Sequence, residues 1–103
     1  MGEKHAGKIA RKALEVVIVN DMEGISGIND WHQIFAGCKE FEEFGRIQVT
    51  EDVNAAVRGL KAAGATDIRL VDFHGSGGPS KNVNPEKLEK EVKLFLRVHL
   101  RAY

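Results

Sequence analysis

Three different spacings of apolar residues divide the chain. The first is an unbroken run: Leu14 and then Val16, Val17, Ile18 and Val19 precede Asn20. Four β-branched residues, stiff at χ1, predict a strand buried on both faces. Gly24 and Gly27 then permit a sharp turn, and the stretch from Ile28 to Gly37 has the mixed periodicity of a loop with a helical turn. The second spacing is helical. Between Lys39 and Ala63, the apolar positions Phe41, Phe44, Ile47, Val53, Val57 and Leu60 recur with charges between them, predicting a long helix interrupted near Gly45. Gly64 follows Ala62 and Ala63 where a left-handed C′ glycine ends a helix. A second short apolar run, Thr66 to Asp72, predicts a second strand. Asn84 before Pro85 predicts an N-cap and a brief helix. The third spacing is alternation: Val92, Leu94, Leu96, Val98 and Leu100 are apolar, predicting a third strand over about residues 91–98. A continuous helix from Pro85 is the alternative.

Strand, helix and strand in this order make a βαβ unit, whose strands run parallel with a right-handed crossover. Both strands therefore aim their C-terminal ends at one edge of the sheet, where ligands of open α/β sheets collect. The first strand brings Asp21 and Glu23 to that edge; the second brings Asp72 and His74. The expected organisation is a lead-in over residues 1–13, with His5 facing solvent, and a single α/β domain over residues 14–103.

Composition narrows the function. Fifteen basic and fifteen acidic residues cancel, and no basic cluster is interleaved with aromatics, which speaks against nucleic acid. No apolar run approaches the ~20 residues of a membrane span, and the N-terminus lacks the apolar centre of a signal peptide. A soluble cytoplasmic protein is the expectation. The single cysteine, Cys38, has no partner for an internal disulfide and reads as a partly buried small hydrophobe.

Asp21 and Glu23 are two residues apart, so an extended backbone through Met22 points both to one side. With His74 they supply three oxygen and nitrogen donors suited to Zn²⁺ or Mn²⁺, and a carboxylate can bridge two such ions. Asp72, two residues before His74, is placed to orient the imidazole. The competing reading makes Asp21 and Glu23 turn or helix caps and packs His74 beside the glycines. Elsewhere the simpler readings hold: His32 as a solvated or hydrogen-bonded histidine, Trp31 as cover for the core edge or a subunit contact, Glu51 and Asp52 as the wet face of a helix. The glycine-rich HGSGG loop suggests a phosphate cradle, but neither GxGxxG nor the Walker spacing accompanies it.

DMEGISG after a β-branched strand, followed by TEDVNAAVRGLKAAGATDIRLVDFHGSGGPSKNVNPEKL, resembles the N-terminal part of the DppA-like D-aminopeptidases, peptidase family M55. The resemblance runs from about Val16 to Leu88. It implies a three-layer αβα fold with a mainly parallel sheet around a Rossmann-like βαβ core, truncated here relative to the family. It implies a binuclear zinc centre, aminopeptidase activity on small peptides with N-terminal D-amino acids, and a homo-oligomer, decameric in the family. Asp21 is similar to the bridging zinc ligand, Glu23 to a ligand of one ion and His74 to a ligand of the other. The family's remaining ligands and its catalytic histidine lie beyond the matched region, so no catalytic residue is assigned, His99 included. A catalytically incomplete fragment or metal-binding module of the family is the alternative.

Overall fold

The computed structural model describes residues 13–75 and 82–96. Residues 1–12, most of the glycine-rich loop and His99 lie outside them. The first strand, β1, is Glu15–Asn20, and the second, β2, is Asp67–Asp72. They pair in parallel with Val16 opposite Ile68, Ile18 opposite Leu70 and Asn20 opposite Asp72. The alternating segment after Val92 forms β3, Lys93–Leu96, parallel to β2 on its other side. The sheet order is β1-β2-β3. A strand, not a continuous helix, thus follows the brief 3-10 turn at Pro85–Lys87, in which the Glu86 N–H is capped by the Asn84 side chain.

The expected long helix is present in two parts. A π-helical turn over Phe41–Gly45 passes directly into α1, Arg46–Ala62. In the π turn the Arg46 N–H reaches back five residues to the Phe41 carbonyl. That extra residue rotates the apolar stripe: Phe44 and Ile47, expected on the buried face, are exposed, and Val49 joins Val53 and Val57 in the core. The turn ends on Gly45 because a Cβ there would collide with the Gln33 backbone carbonyl. At the other end of α1, Gly64 has φ +102°. The Ala65 N–H bonds the Leu60 carbonyl at 2.9 Å and the Gly64 N–H that of Lys61 at 3.0 Å, the paired bonds of a Schellman cap.

Helix α1 covers one face of the sheet. Val49, Val53 and Val57, four residues apart, belong to one core cluster with Ile68 and Leu70 of β2, and with Met22, Ile34, Phe41 and Val83 from the connections. Burying each valine contributes about 1.5–3 kcal/mol. Cys38 packs partly buried against this core, as a small hydrophobe would.

A second stripe of α1 holds the connection to β3. Arg46 donates to the carbonyls of Asn82 and Val83, Thr50 Oγ1 accepts the Asn84 N–H, and Asn54 bonds both the Lys87 carbonyl and the Glu89 N–H. These side chains supply partners to a segment whose backbone groups have no sheet to join.

The expectation that β1 is buried on both faces is corrected. Val17 and Val19 remain 59% and 61% exposed, because α1 lies against the opposite face, that of Ile18 and Leu70. Among the described residues no second helical layer covers them.

Candidate metal centre

The hydrogen-bond ladder between β1 and β2 carries past its last residue pair, since the Phe73 N–H bonds the Asn20 carbonyl at 3.1 Å. Asp21 and His74 therefore leave adjacent strands side by side. Beyond Asp21 the chain does not stay extended, as expected, but closes a turn in which the Ile25 N–H bonds the Met22 carbonyl. Met22 is fully buried in the core, while Asp21 and Glu23 stay exposed on the outer side of the turn. Ser26 fixes that turn from across the fold: its N–H donates to Asp52 Oδ2 at 2.9 Å. Asp52, read from sequence as merely wet, is thus a brace between α1 and the carboxylate-bearing loop.

The three sequence-derived candidates converge. His74 Nδ1 stands 2.7 Å from Asp21 Oδ1 and 3.7 Å from Glu23 Oε1. One donor atom from each residue lies within 4.8 Å of the others. His74 is 4% exposed while both carboxylates face solvent, so the cluster is open on its acidic side. Desolvation pushes the Asp21 carboxyl up, but the His74 hydrogen bond and the Met22 N–H, 2.8 Å from Asp21 Oδ1, together hold it below the usual carboxylate range.

The far nitrogen of the ring decides which atom faces the acids. His74 Nε2 is 2.6 Å from the Ile34 carbonyl oxygen, which only accepts, so Nε2 carries a proton. In the neutral ring Nδ1 then presents its lone pair to two carboxylates. Such an arrangement calls for a cation between them, either a proton or a metal ion. Tetrahedral zinc with ligands at about 2.0–2.1 Å sets its donor atoms roughly 3.3 Å apart. The separations of 2.7 and 3.7 Å bracket that figure, and the donor set is of zinc type.

Asp72 does not orient the imidazole, contrary to expectation. Its carboxylate, 2% exposed, accepts instead from the side chains of Asn20 and Asn82 and from the N–H groups of Asn82 and Val83. Asn82 Nδ2 also donates to the His74 carbonyl at 2.9 Å. Asp72 therefore anchors the chain on either side of the glycine-rich loop and, through Asn82, holds the His74 backbone, while Ile34 orients the ring. A backbone acceptor has no residue signature, which is why sequence reasoning missed it.

His32 is no part of this cluster. Exposed, it lies in a turn capped by Asp30, with its N–H and Nδ1 both directed at Asp30 Oδ1 at 2.8 and 2.7 Å. Trp31 beside it stacks on Phe35 with ring centroids 5.7 Å apart.

Fold and site together define a parallel α/β protein with a carboxylate–imidazole cluster at the C-terminal edge of its sheet. The D-aminopeptidase family model, peptidase M55, matches residues 14–98, and the chain belongs to that family. Among solved structures it is similar to the Zn-dependent D-aminopeptidase DppA from Bacillus subtilis, described as a self-compartmentalizing protease, at 32% identity and a TM-score of 0.68. The match covers 81% of this chain and 28% of that one. No curated protein matches the chain.

Proposed function

We propose that the chain binds Zn²⁺ through Asp21, Glu23 and His74 and, in that state, serves the hydrolysis of small peptides that begin with a D-amino acid. The observation that carries this reading is the convergence of His74 Nδ1 and one oxygen each of Asp21 and Glu23 within 4.8 Å of one another, in a chain of a D-aminopeptidase family. Three protein ligands with one side open is the ligand count of catalytic zinc, whereas structural zinc is closed by four. Bound there, the ion would supply Lewis acidity toward a peptide carbonyl.

The chain's own residues do the rest. Asp21 and Glu23 present their carboxylates on an exposed rim, where an ion and a substrate can reach them. Ile34 and Asp72 keep His74 in one tautomer and place. Among the described residues these three form the one group of donors close enough to hold an ion, so the reading assigns one zinc to them. By likeness to a relative described as self-compartmentalizing, the chain is expected to act as a homo-oligomer.

Hydrolysis of D-alanyl p-nitroanilide by the zinc-supplemented protein tests the reading. Turnover that a chelator abolishes, zinc restores and Glu23→Gln removes supports it. Absence of turnover at every zinc concentration refutes the catalytic part.

A further inference from the structure

Beside the ligand cluster lies a cavity of about 190 Å³ lined by Glu23, Gly24, Ile28, Asn29, Asp30, Trp31 and Ile34. Two of its residues already belong to the centre: Glu23 is a candidate ligand, and Ile34 holds His74 through its carbonyl. The cavity therefore borders the proposed zinc site through these two residues. Its walls combine the apolar side chains of Ile28, Ile34 and Trp31 with two carboxylates, Glu23 and Asp30, and no cationic side chain. Pockets that engulf a drug-sized ligand measure about 300–1,000 Å³, so this one takes a single side chain, not a whole peptide.

Trp31 is 66% exposed, yet its place is fixed. Asp30 caps the turn that carries it, and Gln33 Oε1 accepts the N–H groups of Asn29 and Asp30 at 2.7 and 2.9 Å. Phe35 stacks on the indole, the two ring planes 15° apart. A large apolar ring on a capped turn at the rim of a hollow, already stacked on a neighbour, loses less entropy on covering a ligand than a free side chain would.

We infer that this cavity is the specificity pocket for the N-terminal residue of the substrate, with Trp31 and Ile28 packing an apolar side chain and Asp30 favouring its ammonium group. The inference rests on the zinc reading above. Anionic side chains are disfavoured, because they would leave water for an apolar wall and meet the Asp30 carboxylate. Trp31 is a positioning residue: it selects the side chain and takes no part in bond breaking.

Trp31 is the sole tryptophan of the chain, so its emission reports directly on the pocket. The zinc-loaded protein is titrated with D-Val-Gly and with D-Glu-Gly, by fluorescence and by calorimetry. D-Val-Gly is expected to give a saturable blue shift, and D-Glu-Gly none. Trp31→Ala is expected to weaken D-Val-Gly binding about tenfold with an unchanged zinc isotherm, and Trp31→Phe to restore most of it. Equal binding of the two dipeptides, an unmoved emission spectrum, or undiminished affinity in Trp31→Ala overturns the inference while leaving zinc binding standing. A flat zinc isotherm for the wild type overturns the metal reading itself, and the pocket assignment falls with it.

Discussion

The Nε2 atom of His74 and the carbonyl oxygen of Ile34, 40 residues apart in sequence, are 2.6 Å apart in space. Because the carbonyl only accepts, this contact keeps a proton on Nε2 and turns Nδ1 toward Asp21 and Glu23. The zinc-loaded protein is therefore expected to show His74 as the Nε2–H tautomer in long-range ¹H–¹⁵N correlation spectra, with the Nδ1 resonance moved by the metal. An Nδ1–H tautomer would contradict the assignment of Nδ1 as the ligand atom.

Asp72 is expected to matter for both stability and zinc without being a ligand. Asp72→Asn places an amide NH₂ against N–H donors that now meet carboxylate oxygens. Denaturant unfolding is expected to show a loss of roughly 2–4 kcal/mol. Zinc affinity should fall as well, since Asn82, held by Asp72, also holds the His74 carbonyl. A variant within about 0.5 kcal/mol of wild type would mean that these bonds do not organise the loop.

Two glycines in the helical segment separate packing from propensity. Gly45→Ala drives a methyl group into the Gln33 carbonyl and is expected to cost about 1–3 kcal/mol. Gly59→Ala, on α1 with no atom within 4 Å of the added Cβ, is expected to stabilise by up to ~1 kcal/mol. Thermal melts of the two variants should move in opposite directions; a shared direction would show that the close approach at Gly45 is wrong.

The His32–Asp30 pair is expected to set a pH window. Its hydrogen bond to Asp30, aided by the charges of Asp30 and Glu40, raises the His32 pKa. The His32 N–H and ring lower that of Asp30. The histidine's contribution to stability is fully present below about pH 6.5 and is lost as the pH rises through its higher folded pKa. The aspartate's contribution is present above about pH 3.9 and is lost as the pH falls through its lower folded pKa. The pair thus stabilises most between these limits. NMR titration should place the His32 midpoint above the ordinary histidine value, and Asp30→Asn should return it there; a midpoint unmoved by that substitution would remove the pair.

What was legible in the sequence is what residue type alone determines. Branched runs marked β1 and β2, alternation marked β3, Gly64 marked the end of α1 and Asn84 capped the short turn, because each has a local cause. The meeting of Asp21, Glu23 and His74 followed from parallel topology, which places both strand ends at one edge. Three features depended on partners far away in sequence. β-branched residues suit a strand whether one or both faces are covered, so the exposure of Val17 and Val19 was not readable. Inserting one residue at the π turn moved Ile47 off the core and Val49 onto it. The roles of Ile34 and Asp52 rest on a carbonyl and on an ordinary helix acid, neither distinguishable from its neighbours by type.

Isothermal titration of Zn²⁺ into the wild-type chain and into Asp21→Ala tests the central claim most directly. The geometry at the ends of β1 and β2 requires saturable uptake by the wild type and at least about a tenfold loss of affinity, 1.4 kcal/mol, in the variant. Identical isotherms for the two proteins would contradict it.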